Sequence, residues 1–269
     1  MPDTRILIRG ANDVGSAVAH RLFMAGYSVV IHETPQPTTA RRRMSFTDAV
    51  FDGHAVLDGV EAELITEMSL LPELLRSHHV VPVFAEDMNE LLKNLRPHIL
   101  VDARMRKHLQ PETQRGLAKL TIGLGPNFVA GEIVDLAIET NWGVSLGQIV
   151  ERGATHPLQG EPRAIDGHAR DRYVYAPSAG IFRTSLQIGE HVSQGQEVAR
   201  VDSIPLHAPI PGILRGLTRD GVSVTSKTKV IEIDPRMHDT QISGIGERPA
   251  RIAEGVVTAI QTWEAKHVH

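Results

Sequence analysis

Short apolar runs alternate with amphipathic stretches along the first half of the chain. Ile6-Leu7-Ile8 is followed by Arg9-Gly10-Ala11-Asn12-Asp13-Val14-Gly15, then by Ala17, Val18, Leu22 and Phe23 at helical spacing. This pattern predicts strand, tight turn and helix. Gly26 closes the helix, and Ser28-Val29-Val30-Ile31 supplies a second buried strand ending at His32-Glu33, which completes a βαβ unit. Arg41 to Phe51 reads as a short helix with Phe46, Val50 and Phe51 inward, and Gly53 and Gly59 bracket a hairpin over Ala55–Leu57 and Val60–Ile65. A helix near Ser69–Leu75, a strand at Val80–Phe84, a helix near Asn89–Leu95 and strands at Ile99–Asp102, Leu120–Leu124 and Val134–Glu139 follow. Strands alternating with helices predict a mostly parallel sheet.

The pattern then changes. Gly153 to Arg172 is polar and rich in Pro, Gly and His, as a linker is. Beyond it the phrase Ala-Pro-x-x-Gly-Ile occurs twice, at Ala176–Ile181 and Ala208–Ile213, amid short β-branched runs with turn glycines. Two such halves predict a small flattened barrel of paired strands that resembles the biotinyl/lipoyl-like barrel-sandwich domain. No lysine lies between Lys119 and Lys227, and the turn Val201-Asp202-Ser203-Ile204-Pro205 offers no amine to acylate. A swinging-arm carrier is thereby excluded, leaving docking, covering or stiffening. The expected fold class is α/β: a Rossmann-like, mostly parallel sheet domain over residues 1–172, an all-β barrel-sandwich domain over 173–235, and a helical segment over 236–269. In that last segment Ile252, Val256, Val257, Ile260 and Trp263 sit at helical offsets and pack back.

Composition narrows the functions. A net charge of −4 and a pI near 6.4 provide no general field for nucleic acid or an acidic membrane. No run approaches the length of a membrane span and no signal-peptide core follows Met1, so a cytoplasmic protein is expected. Zero cysteines exclude disulfides, thiolate metal ligands and a persulfide relay.

Gly10-x-Asn12-x-x-Gly15 matches the dinucleotide fingerprint at its first and third glycines, with Asn12 where the second belongs. Glu33 ends the second strand, where an acid could accept a ribose hydroxyl. A phosphate at the following helix N-terminus, beside Asp13, is one reading. Glycines used for geometry alone is the other. Arg41, Arg42 and Arg43 follow the second strand and suit an anion, or a solvated basic turn. Gly123, Gly125 and Asn127 end another strand, and Asp102 a further one with Arg104 and Arg106 close by. Together they form one candidate cofactor-binding crevice, or they are ordinary strand ends. The fourteen histidines show no ligand spacing; His78-His79 diverge, and Lys266-His267-Val268-His269 is terminal, so no metal site is expected. His20, His32, His54, His78, His79 and His98 form no catalytic signature with Lys, Tyr or Ser, which places an NAD(P)-dependent oxidoreductase second and a non-catalytic scaffold third.

The run Ile8 to Leu22, Arg42-Arg43-Met44-Ser45-Phe46-x-x-Ala49-Val50-Phe51-Asp52-Gly53, Val101-Asp102-Ala103, Ile122 to Phe128 with Ala130-Gly131, Ile138-Glu139-Thr140 and Asp234-Pro235-Arg236 together resemble the YqeB family over nearly the whole chain. That resemblance implies an accessory protein of selenium-dependent molybdenum hydroxylase systems, related to the XdhC/CoxF maturation factors. It implies a molybdopterin-type cofactor, a molybdenum hydroxylase client and a separate sulfur or selenium donor protein, with no known catalytic residue; homo-oligomerisation stays open. Two departures stand out: Asn12-Asp13 where the family has Gly-Asp, and Thr140-Asn141-Trp142-Gly143-Val144 without the family's histidine.

Overall fold

The computed structural model describes residues 4–106, 109–158 and 162–267. The chain forms two compact units: Met1–Pro35, Ser45–Gln159 and Ile245–His269 make the first, and Gln36–Met44 with Gly160–Gly244 the second.

The first unit is built on a nine-stranded sheet. Along the chain run β1 (Arg5–Arg9), α1 (Asp13–Met24), β2 (Ser28–His32), α2 (Ala49–Asp52), β3 (His54–Leu57), β4 (Val60–Leu64), α3 (Leu71–Ser77), β5 (Val81–Phe84), α4 (Met88–Leu95), β6 (Ile99–Asp102), β7 (Leu120–Leu124), β8 (Val129–Ala130), β9 (Leu136–Ile138), β10 (Ile149–Val150), β11 (Gly153–Ala154) and, last, α5 (Glu247–His267). The strand order is β10-β9-β7-β6-β1-β2-β5-β4-β3. Its interior is parallel, while β3 and β10 run antiparallel at the margins, and β8 pairs with β11 in a separate two-stranded sheet. Successive strands leave β1 in opposite directions, toward β2 and toward β6. The β1/β6 boundary is therefore a topological switch point, the place where open α/β sheets leave a crevice.

Both faces of the sheet are covered. Ile6, Ile8, Val29, Ile31 and Val101 pack with Ala17, Val18 and Leu22 of α1 and with Ile252, Val256 and Ile260 of α5. Leu7, Val30 and Leu100, of opposite parity along the same strands, pack with Leu71 of α3 and with Leu91 and Leu95 of α4. Alternate residues of a strand point to opposite faces, so a continuous apolar run is what a doubly covered strand requires. Each such side chain buried contributes about 1.5–3 kcal/mol.

The second unit holds β12 (Tyr173–Tyr175), β13 (Gly180–Arg183), β14 (His191–Val192), β15 (Glu197–Val201), β16 (Ile204–His207), β17 (Gly212–Leu217), β18 (Ser223–Val224) and β19 (Lys229–Asp234). They form two antiparallel sheets, β12-β19-β17-β14 and β16-β15-β13-β18, around Phe182, Val201, Leu214, Leu217, Ile231 and Ile233. The repeated phrase is structural. Each copy buries its alanine, Ala176 or Ala208, and starts a strand at its glycine, Gly180 or Gly212. The Ala176 carbonyl accepts from the Lys227 amide and the Ala208 carbonyl from the Gly195 amide, both at 2.8 Å.

Three expectations are corrected. The large sheet is mixed, not a plain Rossmann-like parallel sheet, because Asp58 and Gly59, both at positive φ, turn β3 back on β4, and the turn after Ile138 returns β10 on β9. The flattened biotinyl/lipoyl-like barrel is replaced by two discrete four-stranded sheets. The helix expected over Arg41–Phe51 is split into a 3-10 turn at Arg42–Met44, in the second unit, and α2 in the first.

Candidate functional site

Three neighbouring strands each finish on an ionisable residue. In register, His32 of β2 lies beside Arg9 of β1, and Arg9 beside Asp102 of β6. In-register residues share a face, so the three side chains form one row at the carboxyl end of the switch point. Asp102 is buried, its side chain 2% exposed. Arg104 grips it through Nε, 2.9 Å from Oδ1, and through a terminal nitrogen on Oδ2. Arg9 reaches within 3.8 Å of the same carboxylate and donates to Gln114 Oε1 at 2.7 Å. The Arg9 Nε is buried and donates to no group among the described residues.

Glu112 closes the group. Its carboxylate accepts from Arg9 at 3.0 Å, from Arg104 at 2.6 Å and from Arg106, while its side chain stays 50% exposed. Burial works against ionisation of Glu112, yet its own backbone amide and the guanidiniums of Arg104 and Arg106 hold the carboxyl far below its ordinary range. Burial, then the nearby Arg104 charge, lower the Arg9 guanidinium. Arg104 is raised: burial opposes this, and Asp102 and Glu112 prevail. His32 Nε2 lies 3.0 Å from the Glu86 carbonyl, an acceptor only, so Nε2 carries the ring proton. Burial and the cations Arg9 and Arg104 lower its pKa, so the imidazole is neutral at pH 7.

The glycine turn lies against this row but is satisfied internally. A Cβ on Gly10, at φ +108°, would sit 3.1 Å from the Ala103 carbonyl oxygen and the Arg104 Cα. A Cβ on Gly15 would sit 2.0 Å from the Gly10 carbonyl oxygen, so Gly15 lets α1 meet β1. Asn12 caps α1: its Oδ1 accepts from the amides of Val14 at 3.0 Å and Gly15 at 3.2 Å, and its Nδ2 donates to the Ala103 carbonyl at 2.7 Å. The amides a phosphate would need are thus taken, and Asp13 opens the helix behind them. Glu33 accepts from the Ala11 amide at 2.7 Å and the Thr34 amide at 2.7 Å, which fixes the turn.

Gly123 gives its space to Phe128, whose ring would lie 2.3 Å from an added Cβ. Gly125, at φ +103°, neighbours Thr140 and Met105, and its carbonyl accepts from Thr155. Asn127 donates to the Leu109 carbonyl at 3.1 Å. The chain after β6 thus touches Gly10 through Ala103 and Arg104 and Gly125 through Met105. Arg41, Arg42 and Arg43 lie in the second unit, where Arg41 clasps Glu232, Arg42 Nε donates to the Leu217 carbonyl at 2.9 Å, and the Arg43 carbonyl accepts from the Gly244 amide.

Sequence reasoning missed Arg9, Glu112 and Gln114, and set His32 among scattered histidines. The signal was present in the endings Ile8-Arg9, Ile31-His32 and Val101-Asp102: each apolar run stops on an ionisable residue at the same sheet edge. Glu112 and Gln114 sit in an irregular loop, and no periodicity marked them. Among the described residues no group of three or more His, Asp or Glu could hold a metal ion, and no helix is long and apolar enough to cross a membrane.

No family model matches the chain. It is 36% identical over 255 residues to the uncharacterized protein YqeB of Escherichia coli (strain K12), an alignment covering 95% of this chain and 47% of that protein. The chain is a homologue of YqeB. The resemblance carried by its motifs is supported to that level, and the chain spans about half the length of this curated relative. Among solved structures it is similar to an aspartoacylase family protein of Mesorhizobium loti (11% identity, 87% of this chain and 85% of that one, TM-score 0.25). It is also similar to the ectoine utilization protein EutE of Ruegeria pomeroyi (12%, 86% and 85%, TM-score 0.25), and to a succinylglutamate desuccinylase of Silicibacter sp. TM1040 (13%, 86% and 84%, TM-score 0.25).

These structures are of aspartoacylase and desuccinylase type rather than molybdenum-enzyme maturation factors, and the reading of the chain as such a factor is corrected accordingly. Asn12 and Glu33, meant for a cofactor's phosphate and ribose, instead hold the turn, and Arg41 holds Glu232. A TM-score of 0.25 carries none of those enzymes' chemistry to this chain.

Proposed function

We propose that the first unit binds a small carboxylate-bearing molecule at the β1/β6 switch point, through Arg9, Arg104 and Arg106. One observation supports this above others: a half-exposed carboxylate, that of Glu112, is held by all three guanidiniums. Arginine forks match a carboxylate's two oxygens, and a ligand of the same chemistry competes for the same donors. The second carboxylate, Asp102, is buried and keeps Arg104 aimed when Glu112 moves away. Neutral His32 stands in the same row as a polar group whose proton faces Glu86.

The test is a thermal-shift and calorimetric titration with acetate, succinate and glutarate, with inorganic phosphate as comparison at matched ionic strength. A ligand that binds only the native state at about 100 times its Kd stabilises by about 2.7 kcal/mol. Glu112→Gln removes the internal competitor and is expected to tighten carboxylate binding about tenfold, the equivalent of about 1.4 kcal/mol. Arg106→Gln is expected to weaken it by a similar factor. Unchanged affinity in a folded Glu112→Gln protein would overturn the reading, and so would carboxylate binding that Arg106→Gln leaves unaltered.

A further inference from the structure

The margin of the nine-stranded sheet at β10, three strands beyond β6, borders a cleft of about 450 Å³. Ligand pockets span about 300–1,000 Å³. Leu146, Gly147 and Ile149 line the sheet side, and Arg251, Glu254 and Thr258 of α5 line the other. The three α5 residues recur at helical spacing and so share one flank of the helix. Gly147 sets how closely the two walls approach, since a Cβ there would lie 2.5 Å from the Arg251 carbonyl oxygen.

The sheet wall has free backbone. β9 and β10 pair antiparallel with Ile149 opposite Ile138, and the Glu139 amide donates to the Gln148 carbonyl at 2.9 Å. Bonded and unbonded pairs alternate in an antiparallel ladder, so Ile149 is in an unbonded pair and turns both its N–H and its C=O away from β9. β10 ends the strand order, so no strand meets those groups from the other side. The amides just before it are all used: Leu146 donates to the Gly143 carbonyl at 3.3 Å, Gly147 to Glu139 at 2.8 Å and Gln148 to Ser145 at 2.9 Å. The helix wall carries one uncommitted charge. Glu254 pairs with Arg21 at 3.2 Å, whereas the exposed Arg251 guanidinium meets no acid among the described residues. An open strand edge flanked by a helix suits strand addition, in which main-chain bonds hold an extended segment and side chains select it.

We infer that this cleft binds an extended segment of a partner protein, laid along β10 as a further strand and carrying an acidic side chain that pairs with Arg251. The N–H and C=O of Ile149 take the segment's main chain, and Arg251 selects its Asp or Glu by a charge-assisted bond. A chain-terminal carboxylate is the poorer fit. Capture of an end uses a nest of free amides, and those of Leu146, Gly147 and Gln148 are already donating. The cleft lies wholly in the first unit and shares no residue with the Arg9, Arg104 and Arg106 group.

The full chain would be titrated, by fluorescence anisotropy, with a labelled, end-blocked peptide Val-Thr-Glu-Val-Thr. Two relatives serve as comparison, one with Gln in place of Glu and one N-methylated throughout. Saturable binding of the first peptide, weaker by at least about tenfold for each relative, is the expected result. Arg251→Gln should abolish the preference for Glu over Gln. Thr258→Trp, at an exposed helix position, should block the cleft in a folded protein, and Arg106→Gln should change nothing. Absence of saturable binding, equal affinity for the Gln peptide, or full binding in the Thr258→Trp protein would overturn the inference. Loss of binding in Arg106→Gln would place the peptide's carboxylate at the β1/β6 switch point and overturn it as well. Self-association in sedimentation that Thr258→Trp removes, with no peptide bound, would give the cleft to a second copy of the chain, again against the inference.

Discussion

Asn12 decides what the turn after β1 can hold. A glycine in its place leaves the first amides of the helix pointing at solvent, whereas the Asn12 side chain occupies two of them and ties the turn to Ala103. The same substitution that breaks the fingerprint therefore makes the turn a self-capped structural joint. Gly15 is needed for packing in either case: with a Cβ only 2.0 Å from the Gly10 oxygen, Gly15→Ala is expected to destabilise by more than about 2 kcal/mol, read by chemical denaturation. His32 makes a pH prediction. Burial lowers its folded pKa below the ordinary 6.5, so the unfolded chain binds the proton more readily. Stability should fall as pH drops from about 6.5 toward the folded value, and His32→Asn should flatten that part of a plot of melting temperature against pH.

At the scale of elements, α5 depends on one close approach. Gly255 faces Gly147 so closely that a Cβ would lie 2.1 Å from the Gly147 carbonyl oxygen. Gly255→Val should force α5 off the loop before β10 and lower the melting temperature by several degrees, on the scale of about 2 kcal/mol. The elements themselves were legible where apolar spacing is set locally: β1, α1, β2, the Asp58-Gly59 hairpin, β5, α4, β6, β7 and α5 all lie within a few residues of their expected places. Strand direction at the sheet margins and the grouping of strands into sheets were not, because both depend on partners distant in sequence. The candidate site was half legible. Asp102 and the Gly10 turn stand out as strand ends, but Glu112 is joined to Arg9 only by the fold, across an irregular loop. Arg41–Arg43 misled for the same reason: their partners, Glu232 and Leu217, lie far along the chain.

For the whole molecule, buried carboxylates set the acid limit, Glu139 and Glu232 among them. Burial opposes ionisation of Glu139, but the amides of Asn141, His156 and Thr140, each 2.7 Å away, hold its pKa below normal. Burial likewise opposes Glu232, and Arg41 and Lys229 hold it well below. Both folded values are depressed, so their stabilisation is complete above about 4.5 and is lost as pH falls through the folded values. A melting profile should therefore show a shallow decline beginning near 6.5, from His32, and a steeper one only below 4.5. Glu139→Gln should remove part of the steeper phase.

Residues 36–44 belong to the second unit although the first unit surrounds them in sequence. Leu217 donates its amide to the Ala40 carbonyl at 2.8 Å, and Arg41 supplies the bidentate grip on Glu232. A fragment of residues 160–244 should accordingly melt well below the same fragment fused to 36–44, a comparison that circular dichroism can make.

The position of α5 carries a consequence for biosynthesis. Val14, Ala17, Val18 and Leu22 share a hydrophobic core with Ile252, Val256 and Ile260, yet more than two hundred residues separate the two helices. A nascent chain leaving the ribosome must therefore hold one oily flank of β1, β2 and β6 unsealed until α5 emerges, after the second unit has been translated. Chaperone engagement should concentrate in that interval, and a ribosome stalled just before residue 247 should display the longest-lived exposed state.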